Sequence, residues 1–193
     1  MYSRYIGFDP SYTCFGVAEI NTKEKIIRLN SFKLSPGSKK LQLITWAAIN
    51  IVTDIKDYLD LKEGYYISQE SPAPRAPGSS LPMLWVLGSI LYRDMGSMSN
   101  YERYSLYNVM AMRTLHSNKK HTKKDTMVLV DKIINIFKAN GYSVVYEKKY
   151  DDGMADAFIY SLLGYIKFND TDITKQVLTE VPTLSKIKEE IIE

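Results

Sequence analysis

Four carboxylates hold positions from which they could act together. Asp9 closes a short apolar run, Arg4-Tyr5-Ile6-Gly7-Phe8-Asp9, that Pro10 stops. Glu70 closes a second run that begins at Tyr65. Asp152 and Asp156 stand at i and i+4 in the first turns of a helical pattern, so they share one face. Along a strand alternate side chains share a face, which puts Tyr5, Gly7 and Asp9 on one side and Ile6 and Phe8 on the other. Acids at two strand ends, met by a pair on one helix, would converge within a few ångströms. Such a cluster repels itself unless a cation neutralises it. Hard oxygen donors favour Mg²⁺ or Mn²⁺. Two such ions about 3.5–4 Å apart would clamp the attacking and leaving oxygens of a phosphodiester. Each acid also has a purely local account. A strand-end Asp shapes turns, acids in a helix's first turn suit its dipole, and Asp151 or Asp152 would serve as an N-cap. The spacing alone is compatible with both accounts.

The elements that must carry these acids follow from periodicity. Cys14–Ile20 and Lys25–Leu34 read as strands joined by the polar turn Asn21-Thr22-Lys23-Glu24, so the first three strands form an antiparallel meander. Leu41, Ile44, Ala48, Ile51, Ile55 and Leu59 recur at helical spacing and predict a helix over 39–61. The Pro- and Ser-rich stretch 71–80 is a loop directly after Glu70. Further helices are expected at 81–95, opening near Pro82, and at 122–139, ended by Asn140-Gly141. Two more are expected at 151–168 and, shorter, after Pro182. Strands are expected at 104–109 and, as a candidate edge, at 142–146. This order predicts an α/β fold with a mixed sheet and helices on its faces. The functional crevice of such a sheet lies beyond the carboxyl ends of its strands. Trp46 and Trp85 read as core or dimer-interface residues. Met83, Met95, Met98, Met110 and Met112 read as packing. The apolar stretch 81–91 suits a dimer interface and a buried core helix equally.

Composition narrows the class. A chain of 193 residues supports one domain with a substantial core, read here as 1–168, followed by a tail over 169–193. Hydrophobic residues at 45% and charged residues at 24% give an ordinary globular balance and exclude a disordered chain. The stretches 44–52 and 81–92 are too short to span a bilayer, and nothing ahead of Asp9 reads as a signal core. No membrane partner is expected. Cys14 is the only cysteine, which rules out an internal disulfide and suits a reducing, cytoplasmic setting. The net charge of +3 permits nucleic-acid binding without arguing for it.

Three motifs taken in order carry a resemblance. Ile6-Gly7-Phe8-Asp9-Pro10-Ser11 with Phe15-Gly16-Val17-Ala18, then Ile67-Ser68-Gln69-Glu70, then Asp152-Gly153-Met154-Ala155-Asp156-Ala157, resemble the RuvC family of Holliday-junction resolvases. The similarity runs roughly from Tyr5 to Tyr165. It implies a ribonuclease-H-like mixed five-stranded sheet and a nuclease site formed by Asp9, Glu70, Asp152 and Asp156. It further implies two Mg²⁺ ions, with Mn²⁺ as a substitute, and a homodimer that cuts a four-way DNA junction symmetrically. Lys124 and Arg113 are the positional matches of basic residues near that family's site, with Lys124 placed to polarise the scissile phosphate. Two departures stand out. The bacterial resolvases space the last two acids three apart. Here Gly153 takes that place, the spacing is four as in the mitochondrial branch, and Asp151 becomes a rival to Asp152. The aromatic wedge that follows the strand glutamate in the bacterial enzymes is replaced by Ser71-Pro72-Ala73-Pro74-Arg75. Divergence and compact size suggest a phage or viral member, which would work in the host cytoplasm.

The DNA surface is expected on the acid-free run from Arg103 to Lys124, through Arg113, Lys119, Lys120, Lys123 and Lys124, extended by Arg75, Lys39 and Lys40. His116 and His121 lack cysteine neighbours and do not read as a zinc site. The leading expectation is a metal-dependent endonuclease that resolves branched DNA by in-line attack of water. Its rivals are a branched-DNA-binding protein with little catalysis, a less structure-selective nuclease of the same fold, and an actin-like phosphotransferase, for which the chain is too short. Replacing Lys119, Lys120, Lys123 and Lys124 together by alanine is expected to weaken DNA binding. The slope of log affinity against log salt should fall by roughly two to three units, at about 0.9 per phosphate contact on duplex DNA. An unchanged slope in binding titrations would move the DNA surface to Arg75 and Lys39.

Overall fold

Strands β1 (Arg4–Asp9), β2 (Phe15–Asn21) and β3 (Ile26–Phe32) form an antiparallel meander. The β2–β3 turn closes where Asn21 Oδ1 accepts from the backbone N–H groups of Lys23 and Glu24, at 3.1 and 3.0 Å. Lys25 completes the turn with φ at 52°. The computed structural model describes residues 2–10, 14–33, 41–59, 64–71, 101–105 and 122–185, with backbone only at 41–48, 70–71 and 101–105. Among these, β4 (Tyr65–Ser71) pairs parallel with β1, β5 (Tyr101–Ser105) parallel with β4, and β6 (Ser143–Tyr146) parallel with β3. The sheet order is β5-β4-β1-β2-β3-β6. It is the expected mixed sheet, with the candidate edge strand adding a sixth member beside β3.

Two expectations need correction. β5 begins at Tyr101, three residues before the stretch expected from 104 onward. Its charged Glu102 and Arg103 lowered its strand signal, but an edge strand tolerates charge on its rim. A helix, α4 (Asp172–Glu180), precedes Pro182, where only a tail was expected. Thr171 caps it, its hydroxyl accepting from Thr174 N at 3.3 Å. Val177, Val181 and Leu184 are buried in the main core. The helical turn expected after Pro182 is also present, from residue 183. The helix expected over 81–95, with Trp85 and the methionines from 83 to 112, lies outside the described residues, as do the loop residues 72–80.

The sheet separates two packed faces. Helix α1 (Leu41–Leu59) is tied to the face of Arg4, Ile6, Phe8 and Phe32: the Phe32 and Tyr58 rings meet edge-on at 5.8 Å, and Arg4 donates to the Leu59 carbonyl. Ile51, Val52, Ile55 and Leu59 are buried there. The same Arg4 holds the fully buried Glu19 at 2.5 Å, and Arg28 reaches it at 3.5 Å. This ion pair compensates a carboxylate that burial would otherwise penalise heavily.

Helices α2 (Lys123–Ala139) and α3 (Asp152–Phe168) cover the other face. Every residue of α3 from Met154 to Ile166 is buried except Asp156. Phe137 of α2 packs edge-on against Phe158 and Tyr165 of α3, at 6.3 and 5.3 Å. Below, α3 lies directly on the sheet backbone. A Cβ at Gly7 would stand 1.9 Å from the Ala157 carbonyl oxygen and 2.4 Å from Ser161 N. One at Gly16 would stand 2.1 Å from the Gly153 carbonyl oxygen. Ser161 Oγ then donates to the Tyr5 carbonyl at 2.7 Å, pinning the helix to β1. Only glycine permits this approach, because the atoms it meets are backbone and cannot swing aside. Gly7→Ala is therefore expected to destabilise the fold by about 3 kcal/mol or more, at the top of the overpacking range. Gly153→Ala, whose Cβ would meet nothing nearer than 3.5 Å, should change stability by no more than about 1 kcal/mol. Urea unfolding of the two variants checks the difference; equal losses would mean that the helix can lift off the sheet.

Candidate active site

Asp9 ends β1 opposite Gly16 of β2. On its other side β1 runs parallel to β4, with Phe8 level with Gln69. Asp9 and Glu70 each follow that last pair by one residue, toward the carboxyl ends of two adjacent strands. Parallel pairing thus places both acids at the same end of the sheet, though for Glu70 only the backbone is described. The third element, α3, begins at that end because its glycine contacts seat its first turn on β1 and β2. Gly153 is the witness: a Cβ there would lie 3.8 Å from Asp9 Oδ2, 3.9 Å from Gly16 Cα and 3.5 Å from Asp151 Oδ1. The Asp9 carboxylate therefore lies against the first turn of α3, whose dipole favours a negative charge.

The two aspartates at the start of α3 have different work. Asp151 is the N-cap, its Oδ1 accepting from Met154 N at 2.9 Å. Its Oδ2 accepts from Ser31 Oγ at 3.0 Å, and the Cys14 thiol points at the same oxygen from 3.9 Å. Burial, with the nearby charges of Asp151 and Asp152, pushes the Cys14 thiol up, so it stays protonated and is no activated nucleophile. Asp152 is 39% exposed and pairs with the ammonium of Lys123, the first residue of α2. The hydrogen bond to Asp152 raises the pKa of Lys123 against a partial desolvation, and the charges of Asp152, Asp156 and Asp9 add to it. Of the four acids read from the sequence, Asp152 meets the Lys123 ammonium directly, and Asp9 and Asp156 act on it through their charge. Among the described residues no three His, Cys, Asp or Glu side chains stand at metal-holding distance; the Glu70 side chain is not among them.

The lysine in contact with Asp152 is Lys123, which sequence reasoning had assigned to the DNA surface. Lys124, its neighbour, is exposed on the same first turn. Helix phase decides between the two, and a basic pair does not reveal its phase. Arg75, Arg113, Lys119, Lys120, His116 and His121 lie outside the described residues, as do Lys39 and Lys40. Sequence reasoning also missed Ser31, whose hydroxyl settles what Asp151 does. The pair is 120 positions apart, and no local signal links them.

A mixed sheet with an antiparallel first meander, flanked by helices, and with acids at its strand ends, is a ribonuclease-H-like fold. Among solved structures it is shared with RuvC. The chain superposes on Thermus thermophilus RuvC in complex with a Holliday-junction substrate with a TM-score of 0.50 at 12% identity, over 94% of this chain and 98% of that one. A second Thermus thermophilus RuvC structure gives 0.50 at 13% identity, over 93% and 97%. The nuclease domain of the human cytomegalovirus terminase, Mn-soaked and inhibitor-bound, aligns more loosely, with a TM-score of 0.39 at 14% identity over 86% and 83%. At these identities the likeness is one of fold. No protein-family model matches the sequence, and no curated protein does.

The division of labour at the start of α3 is testable by stability alone. Asp151→Ala removes a cap and the acceptor of Ser31, and is expected to lower stability by about 1–3 kcal/mol. Asp152→Ala removes a half-exposed ion pair, and should stay within about 1 kcal/mol of the parent. Urea midpoints decide; a larger loss for Asp152→Ala would reverse the assignment.

Proposed function

We infer that the chain is a metal-dependent endonuclease acting on branched DNA, with the four-way junction as its preferred substrate and a homodimer as its working form. The observation that supports this is the ion pair of Asp152 with the Lys123 ammonium on a first helical turn that lies against Asp9, in a fold shared with RuvC. Asp152 already holds one cation, and the donors proposed here are all hard oxygens. Such a donor set fits Mg²⁺ or Mn²⁺. Asp9, Glu70, Asp152 and Asp156 would hold the ions. When bound, the ions would supply neutralisation for the attacking and leaving oxygens of the phosphodiester.

The chain's own residues have separate tasks in this reading. The carboxylates fix where the scissile phosphate must sit, because the strand ends and the capped first turn of α3 are rigid. Lys124 polarises that phosphate from the start of α2. The basic run ahead of α2, from Arg113 through Lys119 and Lys120, together with Arg75, grips flanking phosphates. A two-fold dimer would supply the pair of sites that symmetric incision needs. RuvC of Thermus thermophilus is seen with a Holliday junction, which makes this substrate class the first to test.

Asp9→Asn is expected to abolish cleavage of a synthetic four-way junction in Mg²⁺ while leaving junction binding intact. It removes a ligand charge without touching the basic surface. Nick mapping on four-way, three-way and linear duplexes reads both activity and selectivity. Undiminished cleavage by Asp9→Asn would remove the proposed site.

A further inference from the structure

The start of α2 carries an arrangement that the nuclease reading does not require. Thr122 and Asp125 form a reciprocal capping box, with Thr122 N donating to Asp125 Oδ2 at 2.7 Å and Asp125 N donating back to the threonine hydroxyl at 3.4 Å. This fixes the first turn of α2 and takes up the one acid within it. Lys123 is the first residue of that turn, where the helix dipole disfavours a cation. Its compensation comes from across the crevice: Asp152 accepts its ammonium, and the charges of Asp156 and Asp9 act on it as well.

We propose that Lys123 is a built-in counter-ion of the carboxylate cluster, which a divalent cation must displace from Asp152. The proposal rests on the metal reading above and names its regulation. Lys123 holds Asp152 Oδ2, and an ammonium and a divalent cation drawn to one carboxylate repel each other, so they compete. Lys123 is 74% exposed and sits on a long flexible stem, so it can leave Asp152 without disturbing α2. Once displaced, its nearest compensating partner would be a phosphate of bound DNA. DNA and metal would then each favour the binding of the other, as linkage requires. The carboxylates would stay partly neutralised in the metal-free protein, and the site would arm itself where phosphate and metal are both present.

The test is Mn²⁺ binding without DNA, read by electron paramagnetic resonance, for the parent chain, Lys123→Met, Lys124→Met and Asp9→Asn. Lys123→Met is expected to bind Mn²⁺ about tenfold more tightly if the pair is closed nine-tenths of the time. Lys124→Met, with the same change in charge, should show a clearly smaller shift. Unchanged or weaker binding by Lys123→Met overturns the proposal, and so does equal tightening by Lys124→Met. Loss of Mn²⁺ in Asp9→Asn alongside an unchanged Lys123→Met would remove only the counter-ion role and leave the metal reading intact. Parent-like Mn²⁺ binding by Asp9→Asn would overturn both.

Discussion

The structure depends on the approach of one helix to one pair of strands. α3 rests on β1 and β2 at Gly7 and Gly16, with no side chain between helix and sheet. A helix held off by ordinary side chains packs about 10 Å from a sheet, as layered elements generally do. Here the missing side chains let the first turn of α3 drop to the level of the strand ends. That descent sets the first turn of α3, where Asp152 stands, against Asp9. Asp156 is the one residue between Met154 and Ile166 that is not buried.

The remaining contacts hold this geometry against the repulsion it creates. Acids brought together at one site raise the energy of the folded state unless something compensates. Asp151 is fixed by Ser31 and by its own helix, so it caps α3. Lys123 supplies the positive charge, and the capping box at Thr122 keeps the start of α2 within reach. On the far side of the sheet, Arg4 grips both Glu19 and the last turn of α1. The site is thus tied to both helical layers through β1, which carries Arg4 at its start and Asp9 at its end.

Much of this was legible in the sequence, for physical reasons that differ by element. β1 to β3 could be read because their faces alternate and a polar turn separates two of them. α2 and α3 could be read because their apolar residues recur at helical spacing. That the first turn of α3 would lie against Asp9 was legible as a possibility, since strand ends and a first helical turn are where a crevice forms. What escaped was whatever depended on distant partners. Asp151 and Asp152 are indistinguishable in sequence until Ser31 claims one of them. Lys123 and Lys124 differ only in helix phase. Glu19 looks like a solvent-facing residue until Arg4 and Arg28 are seen around it. α4 was hidden by polar composition, although Thr171 with Val177 and Val181 carries a cap and an apolar face. β5 was placed too late because charged residues weaken a strand signal, and its pairing with β4 is set by topology.

The central claim is that the descent of α3 onto β1 and β2 creates one cation site shared by Asp9, Asp152 and Asp156. The most direct measurement is anomalous diffraction at the manganese edge from crystals grown with Mn²⁺. The account predicts a peak in contact with Asp9 and with at least one of Asp152 and Asp156, with Asp151 still bonded to Ser31 and the Lys123 ammonium moved off Asp152. Manganese bound elsewhere at saturating concentration, or held by Asp151 with its cap broken, would contradict it.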